Sequence, residues 1–147
     1  MSNPIGASPD DQAGAGRGDE PETIRSFPTE AVVGVVSDAG ELLRVREELE
    51  AAGLEAQIVA GDRGAERIRQ AGGGNLSLRL TRTVQEMFGY EAEHTERHLK
   101  ELEIGHLIVI VESRDDETTN RVRDILAAHG GHFTNYYSRW TSRVLLP

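Results

Sequence analysis

An α+β fold, helices packed on a sheet, is what this chain predicts, because one strand–helix–strand unit occurs in it twice. In the first copy an apolar run at 32–36 passes through Ser37 and Asp38 into a helical pattern that ends at Gly53, and 56–60 then reads extended. In the second, an apolar run at 107–111 leads through Ser113 and Asp116 into a helical pattern closed by His129 and Gly130, and 133–137 reads extended. An offset of 77 positions lays Val45 on Val122, Leu49 on Leu126 and Gly53 on Gly130. Two such units suit one compact core of helices against strands.

Residues 1–28 are rich in Gly, Ala, Asp, Ser and Pro and hold few large apolar side chains. Such a stretch cannot bury enough surface to offset its ordering entropy, so a disordered acidic tail is expected there and a folded domain over 29–147. Val32, Val33, Val35 and Val36 form a β-branched run that suits a strand buried on both faces. Asp38 followed by Glu41 is a capping-box pattern. Leu42, Val45, Leu49 and Ala52 then recur at helical spacing, with Glu41, Arg44, Glu47, Glu48 and Glu50 on the wet side. Gly53 supplies a left-handed stop, and 57–60 returns as a strand.

A helical insert is expected at 63–104. Residues 65–70 have room for one or two turns, and Gly72, Gly73, Gly74 and Asn75 must be loop, since glycine costs about 1 kcal/mol in a helix. Leu76, Leu80, Val84, Met87 and Phe88 follow at helical spacing, in competition with a strand-like alternation at Leu76, Leu78 and Leu80. A further helix is expected from 90 to 102, with Ala92, Thr95, Leu99 and Leu102 inward and Gly105 as its end.

The run at 107–111 is the clearest strand in the chain. Ser113 with Asp116 repeats the capping signal, and Val122, Ile125, Leu126 and His129 form the buried face of the next helix. Right-handed crossovers place both main helices on one face of a four-stranded sheet, the order of a ferredoxin-like sandwich.

Sixteen basic against 25 acidic residues leave a net charge of −9, which argues against nucleic acid and anionic membrane surfaces, since both need a basic patch. No apolar stretch approaches the roughly 20 residues that span a bilayer, and no basic region followed by an apolar run marks a leader. The chain has no cysteine, which removes disulfides, thiolate nucleophiles and thiolate metal sites together. A cytoplasmic location is expected.

Two stretches resemble a family of small bacterial general-stress or heat-induced stress proteins. One joins Ala31-Val32-Val33-Gly34-Val35-Val36 with Leu49-Glu50-Ala51-Ala52-Gly53-Leu54. The other joins Gly105-His106-Leu107-Ile108-Val109-Ile110-Val111 with Ile125-Leu126-Ala127-Ala128-His129-Gly130-Gly131. Members of that family place a helical insert before the second unit, often ending in a tyrosine and an acid such as Tyr90-Glu91. Many carry a glycine-rich helical segment there, where this chain has only Gly72, Gly73 and Gly74. The resemblance implies a stress-related role and brings no catalytic residues with it.

Glu91, His94, His98 and Glu101 fall on one helical stripe, and two histidines four apart with a carboxylate can chelate a divalent metal. They are the metal candidates. The flanking Glu93, Glu96, Arg97 and Lys100 favour a solvated charged stripe instead, with a histidine pH switch as a third reading. No metal or other cofactor is expected. Arg63, between Gly61 and Gly64, and the glycines at 72–74 could hold an anion at a helix start, but they match neither phosphate-loop nor dinucleotide patterns and read as turns. No serine sits in a nucleophile elbow, and Asp115, Asp116 and Glu117 suit a helix N-terminus.

Four of the seven aromatic residues lie within 133–140, namely Phe133, Tyr136, Tyr137 and Trp140, together with Arg139. Tyr, Trp and Arg are enriched at interface hot spots, and a terminal strand offers a pairing edge, so these five residues are the interface candidates. The alternative is that alternate aromatics cover the core. The expected function is a non-catalytic, stress-related regulatory or protein-interaction module whose partner is itself, as a homodimer or larger, or another protein. A small-ligand or anion sensor is one alternative. A metal-binding protein or enzyme using His94 and His98 is the other.

Overall fold

The computed structural model describes residues 30–74, 78–79, 92–138 and 140–147. The expected tail, the pattern formed by Leu76, Leu80, Val84, Met87 and Phe88, the Tyr90-Glu91 pair and Arg139 lie outside the described residues.

The chain is α+β. In order it forms β1 (Ala31–Val36), α1 (Ala39–Ala51), β2 (Ala56–Val59), α2 (Asp62–Gln70), β3 (Leu78–Arg79), α3 (Ala92–Glu103), β4 (Leu107–Glu112), α4 (Asp116–Ala128), β5 (His132–Tyr137) and β6 (Ser142–Leu146). The strands make one sheet of order β3-β2-β4-β1-β5-β6. Neighbours are antiparallel except β3, two residues long and parallel to β2. The sheet therefore exceeds the four strands expected. After β5 the Ser138 N–H bonds the Thr141 carbonyl at 2.8 Å, and this tight turn sends the chain back as β6.

Strand periodicity divides the core in two. On one face Val32, Val36, Ile58, Leu107, Val109 and Val111 meet Leu42, Val45 and Leu49 of α1 and Val122 and Leu126 of α4. On the other, Val33, Val35, Val59, Ile108, Ile110, Phe133 and Tyr137 lie under Leu99 and Leu102 of α3. The insert helix thus covers the second face. With both faces covered, all six residues of β1 are buried, which is why that strand reads as a continuous β-branched run.

Helix starts follow side-chain capping. Asp38 Oδ1 accepts the Glu41 N–H at 2.9 Å, as its spacing predicts. For α4 the cap is Asp115, which accepts the Thr118 N–H at 2.7 Å, and not Ser113. Ser113 turns inward and shares a buried 2.7 Å hydrogen bond with Thr119 Oγ1. The region around 65–70 is a full nine-residue helix, α2.

Candidate functional site

β1 lies between β4 and β5 and is antiparallel to both, so β4 and β5 start at the same end of the sheet. Their first residues flank the end of β1, with Leu107 opposite Val36 and His132 opposite Val35. His106, just before β4, and His132 consequently face each other, with ring centroids 5.7 Å apart and planes at 83°.

The end of α3 brings a carboxylate to the same place. Gly105, at φ +93°, adopts the left-handed conformation that closes the helix. Its N–H bonds the Leu102 carbonyl at 3.0 Å, and the His106 N–H bonds the Glu101 carbonyl at 2.9 Å. This cap makes neighbours of two residues five apart, and their side chains meet too. His106 Nδ1 donates to Glu101 Oε1 at 2.5 Å, and His132 Nε2 reaches the same oxygen at 3.2 Å. Arg97 Nε stands 3.8 Å from the other oxygen, Oε2. Burial alone would raise the Glu101 carboxyl, but the two imidazole donors outweigh it and hold the group below its usual range.

α3 runs antiparallel to β5, so its earlier residues meet the far end of that strand. His98 is wholly buried and its ring centroid lies 4.8 Å from that of Phe133. His94 Nδ1 and the Tyr137 hydroxyl share a hydrogen bond of 2.6 Å. Phe133 owes its position to a bulge. Val33 pairs with Asn135 but Val35 with His132, which leaves one extra residue on β5, and Phe133 takes a φ of +42° there. The turned ring packs between β5 and α3, with the Arg97 guanidinium 4.0 Å from its centroid.

The four metal candidates are therefore divided. Glu101 joins His106 and His132, which the helical-stripe pattern missed, while His94 and His98 turn to Tyr137 and Phe133. Glu91 lies outside the described residues. The expectation of a solvated stripe fails at His98, whose imidazole is pushed down to about 4 by burial and stays neutral at pH 7. The signal for His106 was an acid and a histidine five apart across a helix-ending glycine. His132 becomes a neighbour only through strand order.

The aromatic set is divided as well. Phe133 and Tyr137 are buried beneath α3. Tyr136 points to the opposite face, half-buried, with the Arg143 guanidinium 5.3 Å from its ring. Burial raises its phenol. Trp140, in the turn between β5 and β6, is 86% exposed, and Val144 on β6 is 67% exposed. The two glycine segments weighed as anion loops are helix ends, Gly61 starting α2 and Gly72 closing it. Among the described residues, no helix is long and apolar enough to cross a membrane. No protein-family model, curated protein or solved structure matches the chain.

Proposed function

We propose that the chain is a non-catalytic regulatory module on a ferredoxin-like core that acts by self-association through the β5–β6 hairpin. The observation that carries this reading is Trp140, a large apolar side chain left 86% exposed at the tip of that hairpin. Val144 extends the apolar surface along β6, the last strand on its side of the sheet. An edge strand presents unpaired backbone groups, and two copies of β6 related by a two-fold axis would satisfy them mutually. Burying Trp140 would contribute on the order of 2 kcal/mol, made twice in a symmetric pair. The order β2-β4-β1-β5, antiparallel throughout, is compatible with a ferredoxin-like core, with β3 and β6 added at its edges. The likeness of the two strand–helix–strand units to small bacterial stress proteins supports a stress-related role, and the lack of cysteine suits the reducing cytoplasm.

Trp140 is the chain's one tryptophan, so its fluorescence reports its own surroundings alone. On raising the protein concentration, its emission should shift to the blue and become harder to quench with iodide. Emission that stays solvent-like at every concentration contradicts the reading.

A further inference from the structure

We propose that Glu101, His106 and His132 form a binding site for a divalent transition-metal ion of the zinc class. Among the described residues these three form the one group of metal-capable side chains, with one donor atom from each within 4.8 Å of the others. Two imidazoles and a carboxylate are a known zinc donor set. Zinc–ligand bonds of about 2.0–2.1 Å set donor atoms roughly 3.3 Å apart in a tetrahedron. Glu101 Oε1 is already 3.2 Å from His132 Nε2 and only 2.5 Å from His106 Nδ1. An ion would spread the last pair by somewhat under an ångström, and the two histidine donors lie within 4.8 Å of each other.

The hydrogen bonding of His132 points the same way. Its Nδ1 lies 3.4 Å from the Gly130 carbonyl while its Nε2 faces the carboxylate. Both neighbours are acceptors, and a neutral imidazole has one N–H to give. Without an ion Nε2–H donates to the carboxylate; with one, the proton has a place on Nδ1 against the Gly130 carbonyl and the Nε2 lone pair can face the cation, the usual outer-shell arrangement of a metal-bound histidine. His106 would join in the same way, its proton moving from Nδ1, where it now bonds Glu101, to Nε2. Arg97 sits at Oε2 and leaves Oε1 to the ion.

The donors also stand on firm supports. Glu101 is in the last turn of α3, His106 is fixed by the helix cap, and His132 begins β5. Their side chains are 13%, 22% and 29% exposed, so an ion has a path in and its remaining position faces water. The site differs from the helical pair His94 and His98, both of which are committed to the α3–β5 packing.

Zinc titrated into metal-free full-length protein should bind at one equivalent and raise the melting temperature by mass action. Cobalt(II) should give the visible absorption of a four- or five-coordinate ion. Glu101→Gln, which keeps the side-chain volume, and His132→Asn should each weaken zinc binding at least about tenfold, as expected for loss of one of three protein ligands. Their circular dichroism should match wild type, and His129→Gln, at a histidine whose ring bonds Glu41 and Glu48 of α1 and not Glu101, should bind as wild type does. Absence of saturable binding at micromolar zinc overturns the proposal. So does binding that survives both Glu101→Gln and His132→Asn, or that is lost with His129→Gln.

Discussion

Thr134 Oγ1 stands 2.6 Å from the point a Cβ on Gly34 would occupy, so any larger residue at the centre of β1 would force its neighbours to shift. Leu126 Cδ1 of α4 is 2.8 Å from the same point. Gly34 faces the β5 bulge, where Phe133 and Thr134 share the space opposite it. The bulge that aims Phe133 at α3 and the glycine of β1 are thus two halves of one fit.

Gly34→Ala should therefore destabilise the protein by about 1–3 kcal/mol, the usual range for forcing a methyl into a packed core. Thr134→Ala in the same background should recover part of the loss by removing the nearest obstacle. Denaturant unfolding of the single and double variants measures both. An alanine variant as stable as wild type would show that the bulge yields freely.

His129 joins the two main helices. Its Nδ1 bonds Glu41 at 2.7 Å and its Nε2 bonds Glu48 at 2.6 Å, so both ring nitrogens donate to carboxylates of α1. The Glu48 bond first, then the Glu41 bond, raise the imidazole above its ordinary value. A group raised in the folded state stabilises fully below the unfolded pKa, about 6.5, and loses that contribution as pH climbs through the folded value. His129→Gln should lower the melting temperature at pH 5.5 to 6, and the gap to wild type should shrink at pH 8 to 9. A gap that widens with pH would contradict this account.

His98 works in the opposite sense. Buried neutral and pushed down to about 4, it stays unprotonated in the folded protein while the unfolded chain takes up a proton near pH 6.5. Stability should fall as pH drops from about 6.5 towards 4, at up to about 1.4 kcal/mol per pH unit and about 3 kcal/mol in all. His98→Leu should flatten that slope and move acid unfolding, followed by circular dichroism, to lower pH. An unchanged acid midpoint would show that other groups set it.

Elements whose signals are local were legible in the sequence. The valine run of β1, the apolar run of β4, the Asp38 cap and the stops at Gly53, Gly105 and Gly130 each depend on a few adjacent residues, and each stands where expected. β6 was not legible. Arg143 and Val144 are both exposed and Leu145 and Leu146 both half-buried, so the two-residue alternation that marks a strand is missing. His98 misled because Glu96, Arg97 and Lys100 surround it in sequence, whereas its burial comes from Phe133, 35 positions on and turned by a positive φ. Of the three clustered donors, Glu101 and His106 are linked by a helix cap that local spacing encodes. His132 joins them only because β5 lies beside β1, a long-range pairing that helical periodicity does not carry.

Sedimentation equilibrium on the wild-type chain and on a Trp140→Ser, Val144→Lys variant tests self-association most directly. Both side chains are exposed in the single chain, so the variant should fold as wild type does. At tens of micromolar the wild type should sediment as a dimer or larger and the variant as a monomer of 16.1 kDa. A wild type that is already monomeric, or a variant that keeps the wild-type mass, would contradict assembly through the β5–β6 hairpin.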